Sequence, residues 1–338
     1  EISNQQFYDY NKLFKPSLFF FHMFIDWKSL KNPIYSHRSW SVKDACMEYR
    51  NGWFYLFFSA FYKDRGRERS HVVGIKTKDF KTYSDPLFNL DGASEGWTGL
   101  CSPDIASHNG KYYLTFNSWG DIHPNGKKNM LFYIESEDLE HWSPVKTVAK
   151  NLTEGMRSID ISIAFFKDKV YLIWKGTQKF GIGKRYQSYV AYSNNLDSDF
   201  ELIGDGIPTF ELHDHKKSTK TQENFHFFEI NGIWYLISTD YPDHAPYIYR
   251  MKGDPNILES WLNWTDGYRL DIPKERFNRE QICNAAFIIN WTNYDGNYYL
   301  LYAGRTIKFI HAGRGNNKLA LARSKNLINW DVPPFGET

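Results

Sequence analysis

Thr221-Gln222-Glu223-Asn224-Phe225-His226-Phe227-Phe228-Glu229-Ile230-Asn231-Gly232-Ile233-Trp234-Tyr235-Leu236 reads as a buried β-hairpin with a carboxylate at its entrance. Phe225 to Ile230 is an apolar run of strand length. Asn231-Gly232 suits a two-residue turn, because both turn positions of that hairpin need a positive φ. From Ile233 onward, aromatic and β-branched residues suit the return strand. Glu223 stands just before the first strand.

The same unit recurs. Asn51-Gly52-Trp53-Phe54-Tyr55-Leu56, Asn109-Gly110-Lys111-Tyr112-Tyr113-Leu114, Asp168-Lys169-Val170-Tyr171-Leu172 and Asp295-Gly296-Asn297-Tyr298-Tyr299-Leu300 repeat the turn and the aromatic return strand. The leucines, with Leu236, step by 58, 58, 64 and 64 residues. A second marker closes most units: Lys78-Asp79-Phe80, Glu137-Asp138-Leu139, Asn194-Asn195-Leu196 and Lys325-Asn326-Leu327. Another strand-like run lies between the two markers, so each unit offers about four short strands. Five such units predict an all-β, five-bladed β-propeller spanning residues 39–338, with residues 1–38 as an N-terminal extension packed on it. A repeated sandwich fits five similar units without linkers poorly.

Composition narrows the function. Aromatics make up 18% of the 338 residues, which favours strands and surfaces that stack on the apolar faces of sugars. Net charge is +2 with the signs interspersed, leaving no footprint for nucleic acid or an anionic membrane. The run Leu18-Phe19-Phe20-Phe21 is far too short to cross a bilayer. Cys46, Cys101 and Cys283 are too few and too scattered for a disulfide framework and read as buried strand residues. No signal peptide is visible. The chain starts at Glu1 without Met, so the expectation is a processed protein, secreted or periplasmic.

In a propeller the first strand of each blade lines the axis, and one end of those strands converges on a pocket. The residues before those strands include Asp44, Asp104, Asp160, Glu223 and Asn284, with steps of 60, 56, 63 and 61. Four of these five are carboxylates. Asp and Asn also cap turns before strands. Four acids in one register point to more, because crowded carboxyls split their pKa values and one keeps its proton. General acid and general base catalysis require that split.

On these motifs the chain resembles the family 43 glycoside hydrolases over about residues 40–332. The resemblance implies a five-bladed propeller that cleaves arabinosides, xylosides and related glycans with inversion. It implies Asp44, in Lys43-Asp44-Ala45, as general base, and Glu223, in Glu223-Asn224-Phe225-His226, as general acid. Asp160, in Ile159-Asp160-Ile161, would orient the acid and tune its pKa, and Asp104, in Ser102-Pro103-Asp104, would lie near the substrate. The prolines that follow the two aspartates in the family and precede its histidine are absent here, and Lys43 stands for the usual Arg. Blade five offers Gln281 and Asn284 where the family brings a His beside an axial ion or water.

Further candidates for the substrate are Trp97 and Trp119, as stacking platforms or as packing, and His226. Arg305 is read as a partner for a hydroxyl or carboxylate, or as a surface ion pair. Loops at residues 121–128 and 180–187 would wall the cleft. No cofactor is expected; a structural calcium on the axis is the one allowance. The partner expected is an oligo- or polysaccharide. The competing readings are a carbohydrate-binding propeller without catalysis, and a phosphorylase using Arg305, His311 and Arg314.

Overall fold

The computed structural model describes residues 24–93, 97–119, 130–180, 183–241, 243–307 and 312–333. The quoted hairpin forms, with Thr221–Ile230 antiparallel to Ile233–Tyr241, but its first strand begins four residues before Phe225, so Glu223 lies inside the strand and not ahead of it. Its turn residues Asn231 and Gly232 have φ of 53° and 82°. Asn51-Gly52 and Asn109-Gly110 do the same in the first two units. The fifth unit differs. A helical turn, Thr292–Asp295, precedes Gly296, so this hairpin spends five residues where the others spend two.

Each repeat unit is an antiparallel blade. Blade one holds Ser41–Arg50, Trp53–Asp64, Arg67–Thr77 and Phe88–Leu90. Blade two holds Gly99–His108, Lys111–Trp119, Leu131–Ser136 and Lys146–Thr147. Blade three holds Arg157–Phe166, Lys169–Phe180, Gly183–Ser193 and Glu201–Leu202. Blade four adds Ala245–Met251 and Asn263–Arg269 to the opening hairpin, with Thr209–Leu212 parallel to its outer edge. Blade five holds Gln281–Trp291, Asn297–Arg305 and Asn317–Ser324. The first strands neighbour one another in a closed ring, so the protein is a five-bladed β-propeller.

The apolar core lies between blades, because each sheet buries both faces. Tyr171 of blade three stacks on Trp261 of blade four at 3.7 Å, and both are buried. The second sequence marker is a turn built from side-chain acceptors. Thr77, Ser136 and Ser324 accept the amides of Phe80, Leu139 and Leu327. Asp79, Asp138 and Asn326 accept amides further along, which competes with strand pairing and ends the strand.

The described part of the N-terminal segment completes blade five. Tyr35 bridges Leu319. Asn32 is fully buried, and its amide acts as a strand surrogate: Nδ2 donates to the Leu321 carbonyl at 2.9 Å and Oδ1 accepts the Leu321 amide at 3.0 Å. Asp331 pairs with Arg323 on the same edge. Asn32→Ala strips two buried backbone groups of their partners, which costs about 1–3 kcal/mol. We expect a lower urea midpoint for Asn32→Ala, with no comparable change for an exposed control such as Asn256→Ala.

Candidate active site

One backbone device repeats on every first strand. Residues 44–45, 102–103, 160–161, 224–225 and 285–286 each oppose a single residue of the second strand. The leading residue is left-handed each time, with φ of 50° at Asp44, 55° at Ser102, 57° at Asp160, 52° at Asn224 and 48° at Ala285. These are β-bulges, which break the alternation of side chains and re-aim them. Consecutive residues therefore face the same cavity: Lys43 with Asp44, Ile159 with Asp160, and Glu223 with Asn224.

The bulges correct the register of acids. Equivalent positions are Asp44, Ser102, Asp160, Asn224 and Ala285, so only two of them are carboxylates. Glu223 stands one residue before its bulge. Asp104 stands two residues after its own, which places it deeper on the axis rather than beside the cavity. His226 occupies the same deeper layer. Its Nδ1 lies 2.9 Å from Asp104 Oδ1 and its Nε2 lies 3.1 Å from the Ile288 carbonyl. Ser162 donates to Asp104 Oδ2 at 2.6 Å. Among the described residues no three His, Cys, Asp or Glu side chains are grouped to hold a metal, and both nitrogens of His226 already lie on oxygens.

Asp44, Asp160 and Glu223 nevertheless line one cavity of about 350 Å³, with Trp119, Asn284 and Arg305. Trp119 packs edge-on against Phe61 at 5.2 Å, and both rings face the cavity. Trp97 does not: it is 5% exposed and packs in the core beside Phe132. Arg314 is exposed away from the cavity. His311, the side chain of Gln281 and residues 121–128 lie outside the described residues.

Sequence reading named Lys43 only as a replacement for the usual Arg and missed Lys175, Arg157 and His244. Lys43 Nζ lies 3.1 Å from Asp44 Oδ1. Lys175 Nζ lies 2.5 Å from Glu223 Oε2, with both side chains buried. Lys175 sits three residues after the marker Leu172, as Ser59 and Asn117 sit after Leu56 and Leu114. At that position the side chain reaches the bulge of the next blade: Ser59 accepts the Ser102 amide and Asn117 accepts the Asp160 amide. That spacing is the signal that would have found Lys175. His244 Nδ1 lies 3.4 Å from Glu223 Oε1. Arg157 and Tyr241 complete this wall.

The charges separate the carboxyls. Burial pushes Asp160 up to about 6, helped by the Glu223 and Asp44 charges and opposed by Lys175 and the Ser102 hydroxyl. Burial also works against the Glu223 carboxylate, but His244, Lys175 and Lys43 outweigh it and hold Glu223 at about 2. With no sugar bound, the readily held proton therefore belongs to Asp160.

No family model and no curated protein matches the sequence. The fold has many solved counterparts. A thermostable family 43 glycoside hydrolase superposes with a TM-score of 0.63 at 13% identity, covering 92% of this chain and 98% of that one. A family 43 β-xylosidase/α-arabinofuranosidase from a compost microbial metagenome, with xylotriose and calcium-free, gives 0.60 at 14%, covering 90% and 97%. A structure from the family 130 of mannoside phosphorylases, which contains glycoside hydrolases targeting β-1,2 mannosidic linkages in Candida mannan, gives 0.60 at 14%, covering 91% and 95%. The chain has the five-bladed propeller fold that these carbohydrate-active enzymes share.

Replacing Lys175 with Met removes its charge but keeps a linear side chain of similar length. Burial then meets less opposition at Glu223, so its pKa rises. Infrared titration of Lys175→Met should show one more carboxyl protonating above pH ~4, in the ordinary range for Glu. That band should vanish in Lys175→Met/Glu223→Gln; its presence in the double variant assigns it elsewhere.

Proposed function

We propose that the protein is a glycoside hydrolase that releases a terminal sugar by single displacement. The observation that carries this reading is the convergence of Asp44, Asp160 and Glu223, from blades one, three and four, on one cavity. The family 43 fold supports it.

Asp44 takes a proton from water as that water attacks the anomeric carbon. Glu223 gives a proton to the leaving glycosidic oxygen, and the bond to that oxygen breaks. Because Lys175 holds Glu223 ionised in the empty cavity, Glu223 must gain a proton during substrate entry. Asp160 supplies that proton as the sugar weakens the Lys175 contact. Afterward Asp44 releases its proton to solvent and Asp160 regains one, which balances one water consumed. The acid form needed for turnover is thus shared by Glu223 and Asp160. Substrate selection, by a single terminal pocket or an open groove, follows from the walls around Trp119 and Tyr241. Xylosides and arabinosides are the first substrates to test, since a fold neighbour is a β-xylosidase/α-arabinofuranosidase.

A second reading is phosphate-dependent cleavage. Lys43, Arg157, His244 and Arg305 all line the cavity, and a fold neighbour belongs to a family of mannoside phosphorylases. Adding inorganic phosphate separates the two: a hydrolase releases free sugar without it, and a phosphorylase releases sugar phosphate only with it.

Aryl α-L-arabinofuranoside, β-D-xyloside and β-D-galactoside, with proton NMR of the first-formed anomer, test the main reading. Inversion is expected; a retained anomer removes single displacement. Asp44→Asn and Glu223→Gln should each lower kcat by about 10²-fold or more. The alkaline limb of kcat/KM should fall near the Asp160 value of about 6, because the active form needs the shared proton. In Lys175→Met that limb should move to higher pH.

A further inference from the structure

The propeller axis has a second cavity at its other mouth. The five first strands run in one sense, with their bulges at the acid end and their hairpin turns at the far end. Beneath the layer of Asp104 and His226, the far ends of all five strands enclose a space of about 520 Å³. It shares no lining residue with the cavity that holds the three acids.

Four residues past each bulge stand Glu48, Ala106, Ala164, Phe228 and Ile289, and all five line this space. One carboxyl thus sits in an otherwise apolar ring. Glu48 Oε1 accepts the Tyr49 amide at 2.9 Å; among the described residues Glu48 makes no other hydrogen bond and no ion pair. No Lys or Arg lines the cavity. Arg50, at the end of the same strand, turns away to the Glu137 carbonyl. Burial pushes the Glu48 carboxyl up to about 7, offset by the Tyr49 amide alone. A carboxylate without a partner in apolar surroundings is costly, and a cation beside it removes the cost.

The neighbours decide which cation. A hard metal ion takes six or more oxygens, and the side chains of Ala106, Ala164, Phe228 and Ile289 supply none. A neutral sugar needs several donors and acceptors, which this ring also lacks. The walls are instead aromatic, with Tyr49, Phe165, Trp234, Trp291 and Tyr294. Aromatic faces attract an organic cation through the ring quadrupole, and its apolar body packs on them without wanting hydrogen bonds. Asn290 and Tyr294 are exposed, so the space opens to solvent beside them.

We propose that this second axial cavity binds an organic cation, with the ammonium group on the Glu48 carboxylate and the apolar body against the aromatic wall. The site is independent of the glycosidase reading. Binding needs the ionised carboxyl, so it strengthens as pH rises through the Glu48 value of about 7, and below that value the cation displaces a proton. The other titratable groups facing the space are Tyr49, Tyr294, Glu229 and His226. Glu229 is exposed at the rim and bonds the Gly232 amide, and the nitrogens of His226 lie on Asp104 and the Ile288 carbonyl. Cys46 and Tyr112 also lie within reach of the Glu48 charge.

Calorimetric titration of the intact protein should compare choline with its uncharged carbon isostere, dimethylbutanol, and butylammonium with butanol, at pH 6 and pH 8. At pH 8 at least one cation should bind about 10-fold or more tightly than its neutral counterpart. With Glu48 at about 7, the same cation should bind about 10-fold more weakly at pH 6, and the alcohol should not change. Glu48→Gln keeps the shape of the protonated side chain and should erase both the preference and its pH dependence. Equal binding of each cation and its isostere to the wild type overturns the proposal, as does binding of neither cation. A cation preference unchanged between pH 6 and pH 8 also overturns it, and these comparisons need no variant to fold. So does a preference that survives in folded Glu48→Gln, which places the cation elsewhere.

Discussion

Five left-handed residues at equivalent points of five inner strands set the geometry of this molecule. A regular strand would send neighbouring side chains to opposite faces, so no blade could offer two adjacent residues to one cavity. The bulge removes that restriction. It lets Lys43 stand beside Asp44 and Asn224 beside Glu223. A left-handed non-glycine residue costs on the order of 1–3 kcal/mol, so five of them require support. Part of that support comes from the preceding blade, where Ser59 and Asn117 accept the amides of Ser102 and Asp160. Asp and Asn tolerate this backbone better than most residues. Asp44, Asp160 and Asn224 therefore suit the bulge whatever else they do, and a carboxylate at that position is by itself weak grounds for catalysis.

What lifts Asp44 and Asp160 above that reading is their electrostatic setting. Three acids in a buried space repel one another and lose hydration. Here each is matched differently. Asp44 has Lys43, Glu223 has Lys175 with His244 close by, and Asp160 has no lysine of its own. At Asp160 burial, with the Glu223 and Asp44 charges added to it, outweighs Lys175 and the Ser102 hydroxyl, and its carboxyl is pushed up to about 6. The protein has used its cations to decide which acid holds the proton. A purely structural set of turn residues would not need a fully buried lysine in the middle of the strand Lys169–Phe180.

The fold was legible because hairpin turns and aromatic strands repeat in the sequence itself. The Leu spacing carried the blade count, and Asn-Gly turns with two positive φ values carried the hairpins. Bulges leave no such mark. Sequence spacing treated Asp104 and Glu223 as equivalents of Asp44, although one lies two residues beyond its bulge and the other one residue before. Counting twelve residues back from Leu56, Leu114, Leu172 and Leu236 reaches the four bulge residues. Blade five falls out of step by three residues because its helical turn lengthens the hairpin. Lys175 was hidden for another reason: a lysine within Leu172-Ile173-Trp174-Lys175-Gly176 shows its meaning only once the next blade is placed against it.

The layer beneath the cavity shows how the ring holds this arrangement together. Two residues past each bulge stand Cys46, Asp104, Ser162, His226 and Phe287. Asp104 of blade two bonds Ser162 of blade three and His226 of blade four, and His226 in turn meets the Ile288 carbonyl of blade five. Ser162 also accepts the Phe227 amide at 3.0 Å. These bonds cross from blade to blade at the axis, where the apolar packing between sheets gives way to strand ends. A buried polar network fixes a geometry only when its members are satisfied, and here each Asp104 oxygen and each His226 nitrogen has a partner. The contrast with the wall above is the informative part. Below the bulges the polar atoms of Asp104, Ser162 and His226 are satisfied from within. One layer up, Asn284 and Arg305 keep enclosed atoms unpaired beside open space.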